Sequence, residues 1–194
     1  HPFKWRGWWD FGTGALGDMG CHGFDPVMRV LRLGYPTSIE ASSTKVFEET
    51  APSGTIVRYE FPARATMPAV NVTWYDGGLR PRRPDALEPG RKMGHNHQGI
   101  LFLGDKGAIM TDGVGRGPRL MPEKAMQEYK RPDKSLPRSP GHYQEWINAC
   151  KGGEPAGMNF ERGGPLTEIV LLGNIAIRAG RKLQFDPKTL RFSN

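Results

Sequence analysis

The residues most able to do chemistry lie in one short stretch, Gly12-Thr13-Gly14-Ala15-Leu16-Gly17-Asp18-Met19-Gly20-Cys21-His22. Gly12, Gly14 and Gly17 satisfy G-x-G-x-x-G, the turn that holds a dinucleotide pyrophosphate at a helix N-terminus. The same stretch places Asp18 and His22 four residues apart, on one face of any helix that follows. A carboxylate beside an imidazole orients the ring and raises its basicity, which suits a proton-transfer pair. Asp25 continues that face at i+7, so Asp18, His22 and Asp25 could also be read as metal ligands. Helical spacing alone is a poor argument for a metal, and no metal site is assigned. Two further histidines, in His95-Asn96-His97, fall in a long polar loop that could lean over a pocket and meet substrate hydroxyls.

The surroundings decide between the two readings of the glycine run. A dinucleotide turn follows a short Val/Ile-rich strand, whereas Trp5 to Phe11 is aromatic and charged. Glu40 lies at a suitable distance for a ribose contact, but the segments beyond it look antiparallel and no second βαβ unit follows. The Asp18/His22 reading is therefore preferred. Phe3, Trp5, Trp8, Trp9 and Phe11 form an aromatic loop, either a core plug or a wall for a sugar ring to stack on.

The elements that position these residues follow from periodicity. A helix is expected over about 15–33, with Leu16, Met19, Phe24, Val27, Val30 and Leu31 on its apolar face, Pro26 kinking or restarting it, and Gly34 ending it. Alternation predicts antiparallel strands over 39–47, 55–61 and 70–75, with one apolar face and an opposite face rich in Ser, Thr, Asn and Tyr. Residues 76–99 read as a long loop, followed by strands at 100–103 and 108–111 around a tight turn at Gly104-Asp105-Lys106-Gly107. A Pro-rich connection leads to a helix near 141–151, begun by His142, with Tyr143, Trp146, Ile147 and Cys150 on one face. A last helix over about 165–179 has Pro165 at its first position, Gly180 beyond its end, and apolar residues nearly all round. Residues 183–185 and 190–192 would make a closing hairpin or edge strand. A helix, a run of strands and then helices describe an α+β fold.

Composition excludes several classes of function. The 194 residues suffice for one domain with a real core. No apolar run is long enough to span a membrane, and no signal peptide is visible. The net charge of +7 is spread over dispersed basic residues, mostly in Pro-rich sequence without interleaved aromatics, so nucleic acid is not the expected partner. Attraction for an anionic cofactor or substrate fits that charge as well as a plain solvated surface does. Cys21 and Cys150 lack metal-ligand spacing and are expected as buried free thiols, consistent with a reducing, cytoplasmic compartment, or a periplasmic one if an export signal lies upstream. A start on His1 suggests a piece of a longer protein.

Trp8-Trp9-Asp10-Phe11 together with the Gly12–His22 stretch resembles the opening of the C-terminal substrate domain in the Gfo/Idh/MocA oxidoreductases. Gly104-Asp105-Lys106-Gly107, His142-Tyr143-Gln144-Glu145-Trp146-Ile147 and Gly164-Pro165-Leu166-Thr167-Glu168 resemble the same family in the same order. The resemblance implies a large, mostly antiparallel open sheet with helices packed on one face, and a homo-oligomer formed through the sheet. It implies that Asp18 and His22 match the family's D-x-x-x-H pair, with His22 accepting a proton from a sugar or polyol hydroxyl. Asp18 would then orient His22 or hold a neighbouring hydroxyl, while Arg6 and Trp8, with His95 and His97 from the loop, would contact substrate. NAD or NADP would be bound mainly by an N-terminal dinucleotide domain that has no counterpart in residues 1–194, which would form a single substrate-binding and oligomerising domain, inactive alone. Two alternatives remain open: a glycoside-cleaving NAD enzyme of the same fold, and a non-catalytic carbohydrate-binding or assembly module.

Overall fold

A computed structural model describes residues 2–194. After a 3-10 segment, Pro2–Gly7, the chain forms helix α1 (Gly14–Leu31) and the strands β1 (Ser38–Ser43), β2 (Thr55–Phe61) and β3 (Val70–Tyr75). Then come β4 (Ile100–Gly104), β5 (Gly107–Thr111), β6 (Arg119–Met121) and α2 (Glu123–Glu128). Helices α3 (His142–Cys150) and α4 (Phe160–Ala179) and the strands β7 (Leu183–Asp186) and β8 (Arg191–Phe192) complete it. The fold is α+β, and every strand pairing among the described residues is antiparallel.

The strands divide into a five-stranded sheet, ordered β3-β2-β1-β7-β8, and a three-stranded one, β4-β5-β6. In β2 alternation sends Thr55, Val57, Tyr59 and Phe61 inward and Arg58 and Glu60 outward. Helices α1 and α4 pack together on the inward face. Ile39, Val57 and Tyr59 meet Leu16, Phe24, Ile169, Val170 and Ala176 there in the main core. The Phe24 ring stands edge-on to Tyr59, with centroids 5.2 Å apart. A smaller cluster, Leu87, Ala108 and Met121, supports the second sheet.

Helix α1 runs unbroken through Pro26. Proline supplies no N–H to the carbonyl four residues earlier, which is that of His22. Its C-terminal carbonyls are capped by Arg64, whose Nε and Nη2 both donate to Leu31 O, at 2.9 and 2.6 Å. Arg32 closes the turn in the left-handed conformation.

Several expectations need correction. Strand β1 stops at Ser43 instead of 47, because Thr44 is drawn into a turn with Ser53 and Gly54 and the following loop pairs with the N-terminal segment. Helix α4 begins five residues before Pro165, which lies inside it after Gly163 and Gly164. The connection after β5 holds β6 and α2, both short. Helix α3 starts at His142 as expected but buries no residue. Cys150 is therefore exposed, not buried, while Cys21 is half-buried; both are free thiols.

Tyr35, at the turn after α1, donates its hydroxyl to Glu168 on α4. Burial, the hydrogen bond and the Glu168 charge push the phenol up to about 12. A raised folded-state value means that the proton is held more tightly in the native state than in the unfolded chain. This contribution is complete below pH 10 and is lost as pH rises through 12. Tyr35→Phe is expected to remove a late step from the 295 nm phenolate titration; an unchanged profile would contradict the pairing.

Candidate active site on helix α1

The site is built from the N-terminal segment and the first turns of α1. The Trp9 N–H donates to Glu49 O at 2.9 Å and the Ala51 N–H to Gly7 O at 2.9 Å, which ties this segment to the 47–51 loop. The Arg178 guanidinium lies 5.3 Å over the Trp9 ring. A Cβ on Gly12 would stand 2.5 Å from the Arg6 carbonyl oxygen, so only glycine lets the chain fold back there. Gly14, at φ +72°, then turns it into the helix.

That fold-back brings Arg6 onto α1. Its Nε lies 3.2 Å from Asp18 Oδ1. The guanidinium carbon sits 4.5 Å from the Phe3 ring centroid and 5.9 Å from that of Trp5. Phe3, Trp5, Trp8 and Phe11 are 43–68 % exposed, so this segment is a surface wall and not a core plug. Trp8 is held by a bridge to Thr50.

The structure therefore brings together Arg6, Asp18 and the aromatic wall. Asp18 turns its carboxylate to Arg6. His22 is exposed one helical turn further on, with no hydrogen-bond or ion-pair partner among the described residues. Asp25 is engaged by Arg29, at 2.7 Å. Among the described residues no three of His, Cys, Asp and Glu are grouped as a metal ion would need.

The histidine loop divides. His95 and Gln98 close a two-residue turn by reciprocal backbone bonds of 2.6 and 2.9 Å, with Asn96 and His97 in the left-handed region. The His95 charge acts on Asp112. Burial raises the Asp112 carboxyl, but backbone N–H donors of Arg116 and Val114 and the charges of Arg116 and His95 outweigh it and hold the group below its ordinary value. The carbonyl of the next residue, Gly113, lies 4.0 Å from where a Cβ on Gly23 would be, so this loop flanks α1 beside His22. His97 instead faces Arg80, with Nδ1 3.3 Å from Nη2.

The glycine run does not fit a pyrophosphate. No strand leads into it, and the position of a Cβ on Gly17 is filled by Thr13 Oγ1, 1.7 Å away. The Ala51 side chain covers Gly14, leaving a cavity of about 10 Å³ at the helix start. The link between Arg6 and Asp18 was not visible in the sequence, because their separation follows no helical or strand period.

No helix among the described residues is long and apolar enough to cross a membrane. No curated protein matches the chain. Residues 2–62, which carry the aromatic wall, Arg6, Asp18 and His22, match the family described as oxidoreductase family, C-terminal alpha/beta domain, of the Gfo/Idh/MocA group. The match covers about a third of the chain, and the whole stretch that builds this site falls within it and is similar to that C-terminal domain.

Proposed function

We propose that the chain is the substrate-binding domain of an NAD(P)-dependent, cytoplasmic oxidoreductase that oxidises a hydroxyl of a sugar, polyol or derivative. The observation that carries this reading is the His22 imidazole, without a hydrogen-bond or ion-pair partner among the described residues, one turn from the Arg6–Asp18 pair and beside an exposed aromatic wall in the family-matched segment. Thr13 and Ala51 fill the room at Gly17 and Gly14 that a pyrophosphate would need, and on this reading the cofactor is held by a separate dinucleotide-binding domain. The nicotinamide supplies a hydride acceptor; the work of this chain is to bind, orient and deprotonate.

His22 accepts the hydroxyl proton as the carbon beneath loses its hydride, so the alcohol becomes a carbonyl. Asp18, fixed by Arg6, accepts a hydrogen bond from a neighbouring hydroxyl. Arg6 keeps donors for a second oxygen, and Trp5 and Trp8 present faces to the ring. His95 approaches from the loop flank. The outward face of the five-stranded sheet, with Glu40, Arg58, Glu60 and Asn71, is the surface through which copies associate.

The test joins this domain to its nucleotide-binding partner and supplies sugars and polyols with NAD+ or NADP+. Reduced cofactor, read at 340 nm, is expected. Free sugar released without net reduced cofactor would favour glycoside cleavage, and saccharide binding with neither product would favour a carbohydrate-binding module.

A further inference from the structure

A small polar cavity lies where α1 begins, lined by Thr13–Leu16, Ala51, Pro52, Thr55, Asp76, Asn174 and Ile177. The first N–H groups of α1 have no acceptor within the helix, and the Thr13 side chain makes no capping bond. Across from them stands Asn174 of α4, only 5 % exposed. Its Nδ2 donates to Val170 O at 3.3 Å, while its Oδ1 is buried without a partner. An acceptor left in that condition is costly. Asp76 closes the third side. Its Oδ1 accepts the Thr55 N–H at 2.6 Å, and its Oδ2 accepts Thr55 Oγ1 and Trp74 Nε1, both at 2.7 Å. A carboxylate has about four lone-pair sites, so capacity remains.

We propose that this cavity binds one ordered water, which donates to Asn174 Oδ1 and Asp76 and accepts an N–H from the first turn of α1. The volume of about 10 Å³ admits one water and nothing larger. The helix N–H groups oppose a cation, and the Asp76 charge opposes an anion. A neutral donor and acceptor of water's size meets both walls. The water joins α1, α4 and the residue following β3 at the first turn of α1, one turn before Asp18, which makes Asn174 a positioning residue for that helix. The site stands on its lining alone and does not depend on the function proposed above.

Water-selective Overhauser spectra of the nitrogen-15-labelled chain test this directly. Persistent cross-peaks from water to the Ala15 and Leu16 amides are expected, and their absence would overturn the site. In Asn174→Leu the cross-peaks disappear and amide exchange at Ala15 and Leu16 quickens about tenfold, while β2 stays protected. Asn174→Asp keeps an acceptor and keeps the water. Cross-peaks that survive in Asn174→Leu would remove Asn174 from the site. Should the leucine variant fail to fold, the spectra of the unaltered and aspartate proteins still decide.

Discussion

If the proposed function holds, replacing His22 with alanine in a protein that joins this chain to a dinucleotide-binding domain is expected to lower kcat about 10²–10⁴-fold, the usual contribution of a positioned general base. Cofactor affinity should change little, because nothing near His22 cradles a pyrophosphate. The imidazole is exposed and has no hydrogen-bond or ion-pair partner among the described residues, so its loss removes no polar contact there. The fold should survive, and the kinetic effect can be read without a stability correction. Asp25→Ala is the internal control: it lies on the same helix, but its carboxylate is committed to Arg29, 2.7 Å away. Steady-state kinetics of both variants settle the assignment; an unchanged kcat for His22→Ala would remove its role.

Gly173→Ala should be the most damaging small substitution in the core. A Cβ there would lie 1.9 Å from the Tyr59 hydroxyl and 2.7 Å from Leu16 Cδ2. Both side chains are almost wholly buried and cannot swing aside. Overpacking of this kind costs about 1–3 kcal/mol, read as a lower urea midpoint. Gly163→Ala, on the same helix, meets nothing nearer than 3.8 Å and should be neutral or stabilising by up to about 1 kcal/mol. The Tyr59 hydroxyl has no hydrogen-bond partner among the described residues, and burial pushes its pKa up strongly. Tyr59→Phe should therefore cost little alone and restore part of the loss in the double variant, since it deletes the atom that clashes. No recovery would mean that the clash is with backbone or Leu16 instead.

The helices and strands of the main sheet were legible because their periods are strong. Thr55–Phe61 alternates without a break, and Leu166 to Ile177 is apolar on nearly every face of a helix that packs against both α1 and the sheet. What failed was set by contacts distant in sequence. The division into two sheets depends on β1 pairing with β7, about 145 residues away, which no local pattern records. The start of α4 was misplaced because Gly163-Gly164-Pro165 has the chemistry of a boundary, yet the helix runs through it. Short β6 and α2 have too few residues for either period to register. At the site, the Asp18/His22 spacing was readable, whereas the Arg6–Asp18 pair and the approach of the Asp112–Gly113 loop to Gly23 are products of folding.

The central claim is that Gly12, Gly14 and Gly17 open the helix of a substrate domain and are not a cofactor turn. A fluorescence titration of the 194-residue chain with NADH tests it most directly. No saturable binding is expected, because Thr13 and Ala51 fill the room that a pyrophosphate would need. Micromolar binding would mean that the glycines cradle a dinucleotide, and the assignment of this helix to substrate chemistry would be wrong.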